Sequence, residues 1–357
     1  MVHASDGPAI DLRYVAKTYR RRVHALRGIE MRVEPGEVFG LLGPNGAGKS
    51  TLVKILMTVI RPTRATGTLL GRPIGHKPTL ARVGYLPENH RFPPYLTGRQ
   101  VLEFYAAMAC VDRRTRRRRA GELLESVRMG KWANVRVGTY SKGMQQRIGL
   151  AQALCHDPRL VLLDEPTDGL DPVGRRETRE LLLQLRDQGK TVFLNSHLLG
   201  EVERVCDRVA ILVQGKVVRQ GTIDDLTAHG RRYEIELSGD PAGGLRAAIR
   251  AALPCTVEPP AAPPPVAAGG GGAARAPAEK GVLHSGTPVE LDGSVVRIGT
   301  DDAAEVQPVI DALRSRNLVI RAVRPIRQSL EDFFIEAVSD VSNGHSSGPS
   351  RREGGLS

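Results

Sequence analysis

Gly43-Pro44-Asn45-Gly46-Ala47-Gly48-Lys49-Ser50-Thr51 is the stretch that decides the fold. It fits G-x-x-x-x-G-K-[ST], a loop whose backbone N–H groups cradle phosphates. Val38-Phe39-Gly40-Leu41-Leu42 just before it reads as a buried strand, and Leu52 to Ile60 after it continues as an apolar helix. That strand, loop and helix order is the context the motif needs. It turns the positive end of the helix and the N–H groups of the loop toward the phosphates of a nucleotide. Lys49 then reaches the β- and γ-phosphates, and the Ser50 hydroxyl ligates Mg²⁺.

Upstream, Ile10 to Val15 and Ile29 to Val33 alternate apolar and polar residues around an arginine-rich turn, which predicts a small antiparallel sheet. Tyr19 lies between them, an aromatic ring suited to stacking on a purine. Downstream, Val83-Gly84-Tyr85-Leu86 predicts a short strand stopped by Pro87-Glu88-Asn89. From Arg99 to about Asp157 the period becomes helical, an inserted unit that ends in Tyr140-Ser141-Lys142-Gly143-Met144. Ser141 is a natural N-cap for the helix that follows.

Leu160-Val161-Leu162-Leu163-Asp164-Glu165 reads as a strand buried on both faces and ending in two carboxylates, where the ligands of parallel sheets bind. Asp168-Gly169-Leu170-Asp171-Pro172 is a turn into a helix through about Asp187. Thr191 to Ser196 is a further buried strand, with His197 just past its end. The order of these strands places Lys49, Asp164, Glu165 and His197 on one sheet edge. Val209 to Val213 and Lys216 to Arg219 form a hairpin turning at Gln214-Gly215.

A different composition begins near residue 230. Short strands at Tyr233 to Leu237, Val295 to Ile298 and Leu318 to Val323, with helices at Leu245 to Leu253, Val306 to Arg316 and Leu330 to Val338, describe a small α+β domain. Pro254 to Pro288 is rich in Pro, Ala and Gly and reads as a flexible insert. The expected domains are thus 1–229, with its helical part at about 88–158, then 230–340 interrupted at 254–288, and a disordered tail at 341–357.

The chain has 357 residues, enough for two cores, and carries a net charge of +12. Its four cysteines are far apart and make no C-x-x-C pair, which argues against zinc and against a disulfide framework. The cysteine pattern makes a reducing cytoplasm the expected compartment, and the first residues lack the apolar core of a signal peptide. Arg113-Arg114-Thr115-Arg116-Arg117-Arg118-Arg119 concentrates basic charge that suits nucleic acid or anionic lipid, although most such runs are solvated helix faces.

In order and spacing, the loop at 43–51, the Ser141 segment, Asp164-Glu165, the turn at 168–171 and His197 resemble the ATP-binding subunits of ABC transporters, over residues 9 to about 225. The remainder, ending in Ser329-Leu330-Glu331-Asp332-Phe333-Phe334, resembles the accessory domain of ABC-2-type exporter ATPases. The fold so implied is α/β: a P-loop NTPase core with an antiparallel β subdomain and an inserted helical subdomain, plus a small C-terminal α+β domain. The implied function is ATP hydrolysis coupled to export through a separate integral membrane permease, at the inner face of the cell membrane. The cofactors are ATP and Mg²⁺.

The resemblance also implies roles. Tyr19 stacks on adenine, Ser50, Asp164 and Glu88 serve Mg²⁺, Glu165 is the general base, and His197 holds the water and the γ-phosphate. Ser141, Gly143 and Asp171 serve a second ATPase copy in a head-to-tail dimer, identical or paralogous. Glu88 stands where the family carries glutamine, and Lys142 and Met144 depart from the family's L-S-G-G-Q segment. The competing expectation is a soluble ABC-type ATPase acting on ribosomes or nucleic acid. The absence of a second ATPase unit, long coiled coils and zinc cysteines disfavours it.

Overall fold

The computed structural model describes residues 7–20, 22–228, 232–238, 255–257, 279–283, 285–326 and 329–342. They fall into two compact units, one of residues 1–223 with 334–357, the other of residues 224–333.

The first unit opens with β1 (Ile10–Tyr19) and β2 (Val23–Val33), which pair antiparallel, followed by β3 (Val38–Leu42) and α1 (Lys49–Leu56). After α1 the chain returns as β4 (Arg64–Leu69) and β5 (Arg72–Pro73), completing a four-stranded antiparallel sheet in the order β2-β1-β4-β5. Next come β6 (Val83–Leu86), α2 (Gly98–Met108), α3 (Arg113–Ser126) and α4 (Lys142–Leu154). Then β7 (Leu160–Asp164), α5 (Pro172–Asp187), β8 (Thr191–Asn195), α6 (Leu199–Val205), β9 (Arg208–Val213) and β10 (Lys216–Thr222) follow.

The second sheet runs β10-β9-β3-β8-β7-β6 and is parallel except for β10, which folds back on β9. Every residue of β3, β7 and β8 is buried, as strands covered on both faces require. Leu52, Val53, Ile55 and Leu56 of α1 join residues of both sheets in one apolar core. The helix that presents the phosphate loop is thereby fixed from two sides. Each helix of the inserted segment is capped from its own sequence. Thr97 and Gln100 form a reciprocal capping box on α2, Asp112 accepts from Arg114 and Thr115 at the start of α3, and Ser141 accepts from Met144 at the start of α4. At the other end of α4, Arg119 donates to the carbonyls of Leu154 and Cys155.

The second unit carries β11 (Arg232–Ser238), β12 (Cys255–Val257), β13 (Glu279–Leu283), β14 (Pro288–Asp292), β15 (Val295–Ile298) and β16 (Val319–Ile326) in an antiparallel sheet ordered β12-β13-β14-β15-β11-β16. The short helix α7 (Ile223–Ala228) precedes it, α8 (Ala303–Ser315) supplies Val306, Val309, Ile310 and Leu313 to its core, and α9 (Leu330–Ser342) follows β16 in the chain. The expected flexible insert at 254–288 is corrected here. Its ends are strands, because Cys255–Val257 pairs with Gly281–Leu283, and β13 pairs in turn with β14. Residues 258–278, the expected helix at 245–253 and residues 343–357 of the expected tail lie outside the described residues.

Candidate active site

The phosphate loop leaves β3 under two steric constraints. A Cβ on Gly43 would lie 2.3 Å from the carbonyl oxygen of Leu212 on β9. Gly48 has φ of +111°, and its Cβ would lie 2.5 Å from the carbonyl oxygen of Ala25 on β2. Only glycine fits at either place. The Gln214-Gly215 turn, with positive φ at both residues, brings the β9–β10 hairpin tip against this loop. Gly215 N–H donates to Ala47 O at 3.0 Å, and Gly215 O accepts from Arg27 N–H at 2.7 Å. The loop is thus pinned to both sheets.

Lys49 is 8% exposed, and its ammonium donates to Gly43 O at 2.6 Å and Pro44 O at 3.3 Å. Burial pulls its pKa below the ordinary lysine value, while the carboxylates of Glu165, Asp164 and Glu88 act to raise it. Asp164 ends β7 at 3% exposure. Burial raises its pKa above the ordinary value, Glu88 and Glu165 add to that, and the Asn195 amide and Lys49 oppose it.

Glu165 follows directly, with its backbone in the left-handed region at φ of +52°. Two hydrogen bonds hold it there: its N–H donates to Asn195 O at 2.8 Å, and its carbonyl accepts from Gln146 Nε2 at 2.8 Å. The Glu165 carboxylate accepts from His197 Nδ1 at 2.8 Å and from Ser196 Oγ at 3.4 Å. Since the carboxylate accepts, the imidazole carries its proton on Nδ1. The Glu165 side chain is 12% exposed and that of His197 57%, so the carboxylate is enclosed and its partner faces outward.

These groups line one cleft of about 490 Å³. Its wall consists of residues 45–51 of the loop with Glu88, Asp164, Glu165 and His197, joined by Ala25, Asp168 and Asn195, which sequence reasoning did not assign to it. Gly43 and Pro44 stand behind Lys49 and offer it their carbonyls. Tyr19, Ser141, Gly143 and Asp171 do not line the cleft. Tyr19 lies under the Lys17 ammonium, 4.9 Å from the ring centroid. Ser141 caps α4 and Asp171 caps α5, the latter accepting from Gly174 N–H at 2.8 Å. Gly143 lies near the Gly169 carbonyl, 3.3 Å from where its Cβ would be. Asn195 could have been suspected as the strand-end partner of Asp164, but Gln146 gave no signal.

A glycine-rich loop lining the cleft, a buried ammonium and an enclosed carboxylate braced by imidazole can bind a polyphosphate and activate water against its terminal phosphorus. The comparisons agree with that chemistry. The family model described as ABC transporter matches residues 26–168. A Synechocystis sp. protein named an uncharacterized ABC transporter ATP-binding protein is 38% identical over 334 residues, covering 91% of this chain and 83% of that protein. The Nod factor export ATP-binding protein I of Rhizobium etli is 40% identical over 220 residues, covering 61% of this chain and 69% of its own length. A solved dimeric ATP-binding cassette in a post-hydrolysis state, bound to ADP and Pi, is 27% identical with a TM-score of 0.56, covering 60% of this chain and 98% of that one. This chain belongs to the ATP-binding proteins of ABC transporters.

Proposed function

We propose that this ABC ATPase powers an exporter, working as a head-to-tail dimer on a separate polytopic membrane permease at the inner face of the membrane. The observation that carries the reading is the 2.8 Å pairing of His197 Nδ1 with the Glu165 carboxylate, on the wall of the cleft that also holds the Lys49 ammonium. Glu165 takes the proton of the attacking water, and His197 keeps the carboxylate in line and meets the γ-phosphate. Lys49 exchanges its loop carbonyls for β- and γ-phosphate oxygens. Positioning and charge stabilisation supply most of the rate in phosphoryl transfer, so no covalent intermediate is needed.

The donors fit Mg²⁺. Ser50, Asp164 and Glu88 on the cleft wall offer hard oxygen atoms. That suits an ion which takes one or two carboxylates and completes its shell with phosphate and water. When bound, it would neutralise charge between the β- and γ-phosphates.

Ser141, Gly143 and Asp171 are assigned to the nucleotide of a second copy. Their place outside the cleft of their own chain supports this, as does the dimeric cassette among the similar structures. Export is favoured over import by the similarity to the Rhizobium etli export protein. Tyr19 is assigned to the adenine, and the unit of residues 224–333 to an accessory role. No helix among the described residues is long and apolar enough to cross a membrane. Size exclusion of Glu165→Gln with ATP and Mg²⁺ tests the composite site: a dimer peak is expected, and a purely monomeric profile overturns it.

A further inference from the structure

Four acidic residues line the cleft, Glu88, Asp164, Glu165 and Asp168. The first three act electrostatically on the Lys49 ammonium and belong to the hydrolytic site. Asp168 does not. It sits on the turn between β7 and α5, and Lys142 Nζ donates to its Oδ2 at 2.8 Å.

The contact is built into the local geometry. Lys142 is the first residue of α4, and its stem lies across Gly169, where an added Cβ would come within 2.7 Å of the lysine Cδ. Gly169 itself has φ of +71°. That glycine therefore serves both the turn and the passage of the lysine. The hydrogen bond and charge of Lys142 hold the Asp168 carboxyl below the ordinary range, with a smaller contribution from His197. Asp168 is thus anionic at neutral pH and close enough to the reacting end to feel His197. The two side chains are 69% and 48% exposed, so the pair adds little to folding.

We propose that Lys142 is a positioning residue for nucleotide affinity in its own chain: by holding Asp168 it cancels the fourth negative charge on a wall that must face a polyphosphate. The proposal rests on the reading of the cleft as an ATP site. In this chain the lysine of the Ser141 segment thus has a role within one subunit.

The test is titration of the full chain with a fluorescent ATP analogue and Mg²⁺. Lys142→Met is expected to weaken binding about threefold to tenfold at low salt, the size expected from one uncompensated charge near a screened site. Adding Asp168→Asn should restore affinity to within about twofold, and Lys142→Arg should bind like the parent. High salt should shrink the deficit of Lys142→Met. Unchanged affinity in Lys142→Met overturns the proposal. So does a deficit that Asp168→Asn does not rescue, the result expected if the lysine touches nucleotide directly. Lys49→Ala separates the two levels: normal binding there removes the ATP-site reading and this proposal with it, whereas loss of binding there with no effect at Lys142 removes this proposal alone.

Discussion

Asn195 on β8 donates its side-chain amide to the Asp164 carboxylate on β7, and the two residues are direct partners in the parallel register of those strands. Among the described residues, Asn195 Oδ1 is buried without a hydrogen-bond partner. The sheet thus aims one donor at the buried carboxylate and leaves an acceptor unsatisfied to do so.

That donation opposes, but does not outweigh, the effect of burial on Asp164. Its folded-state pKa is raised, chiefly by burial. The folded protein therefore holds this proton more tightly than the unfolded chain does, and the resulting contribution to stability is present below the unfolded pKa and lost as pH rises through the folded value. Asp164→Asn should have a higher urea midpoint than the parent at neutral pH, with the gap closing toward pH 4. Its ATPase rate should fall about a hundredfold or more.

Removing His197 tests the proposed bracing of Glu165. His197→Ala deprives Glu165 of its 2.8 Å partner while leaving the loop and Lys49 intact. Steady-state turnover should fall about a hundredfold, with ATP affinity within about twofold of the parent. An equal loss in both would assign the imidazole to binding.

Two loop glycines should behave differently under the same substitution. Gly48→Ala meets a fixed carbonyl at 2.5 Å as well as an unfavourable φ, and should lose about 2 kcal/mol or more together with nucleotide binding. Gly46 has φ of +82° but nothing within 4 Å of its Cβ position, so Gly46→Ala should lose only about 1 kcal/mol. Thermal melts with and without ATP would compare them.

Arg147 on α4 pairs with Glu177 on α5 at 2.6 Å and also donates to Val127 O at 3.2 Å, with both side chains largely enclosed. Arg147→Ala leaves that carboxylate poorly solvated and should lower stability by about 1–3 kcal/mol. Denaturant titration reads this directly, and the double variant with Glu177→Ala should lose less than the sum of the singles.

The parts of the site that a contiguous motif encodes were readable in the sequence. The phosphate loop, the Asp164-Glu165 strand end and His197 each combine a local pattern with an element boundary, and the structure brings them to one cleft. What escaped depends on contacts between distant segments. Asn195 meets Asp164 only once the parallel register is known, and Lys142 meets Asp168 across 26 residues. Arg64–Leu69, written R-A-T-G-T-L, has too few apolar residues to announce a strand, yet it pairs with β1 from Ile10 to Ala16. In the second unit, the Pro, Ala and Gly richness of 254–288 masked two strands at its ends. Composition averages over a segment, whereas pairing needs only three residues there.

Glu165 occupies a left-handed backbone position that glycine would fill with about 1 kcal/mol less strain. With Glu165 as the proposed general base, foldability and turnover make opposite demands at a single codon. A library of this protein sorted for heat resistance alone should drift toward glycine at 165 and yield sturdier, inert cassettes, so any stabilisation campaign must screen for hydrolysis in parallel.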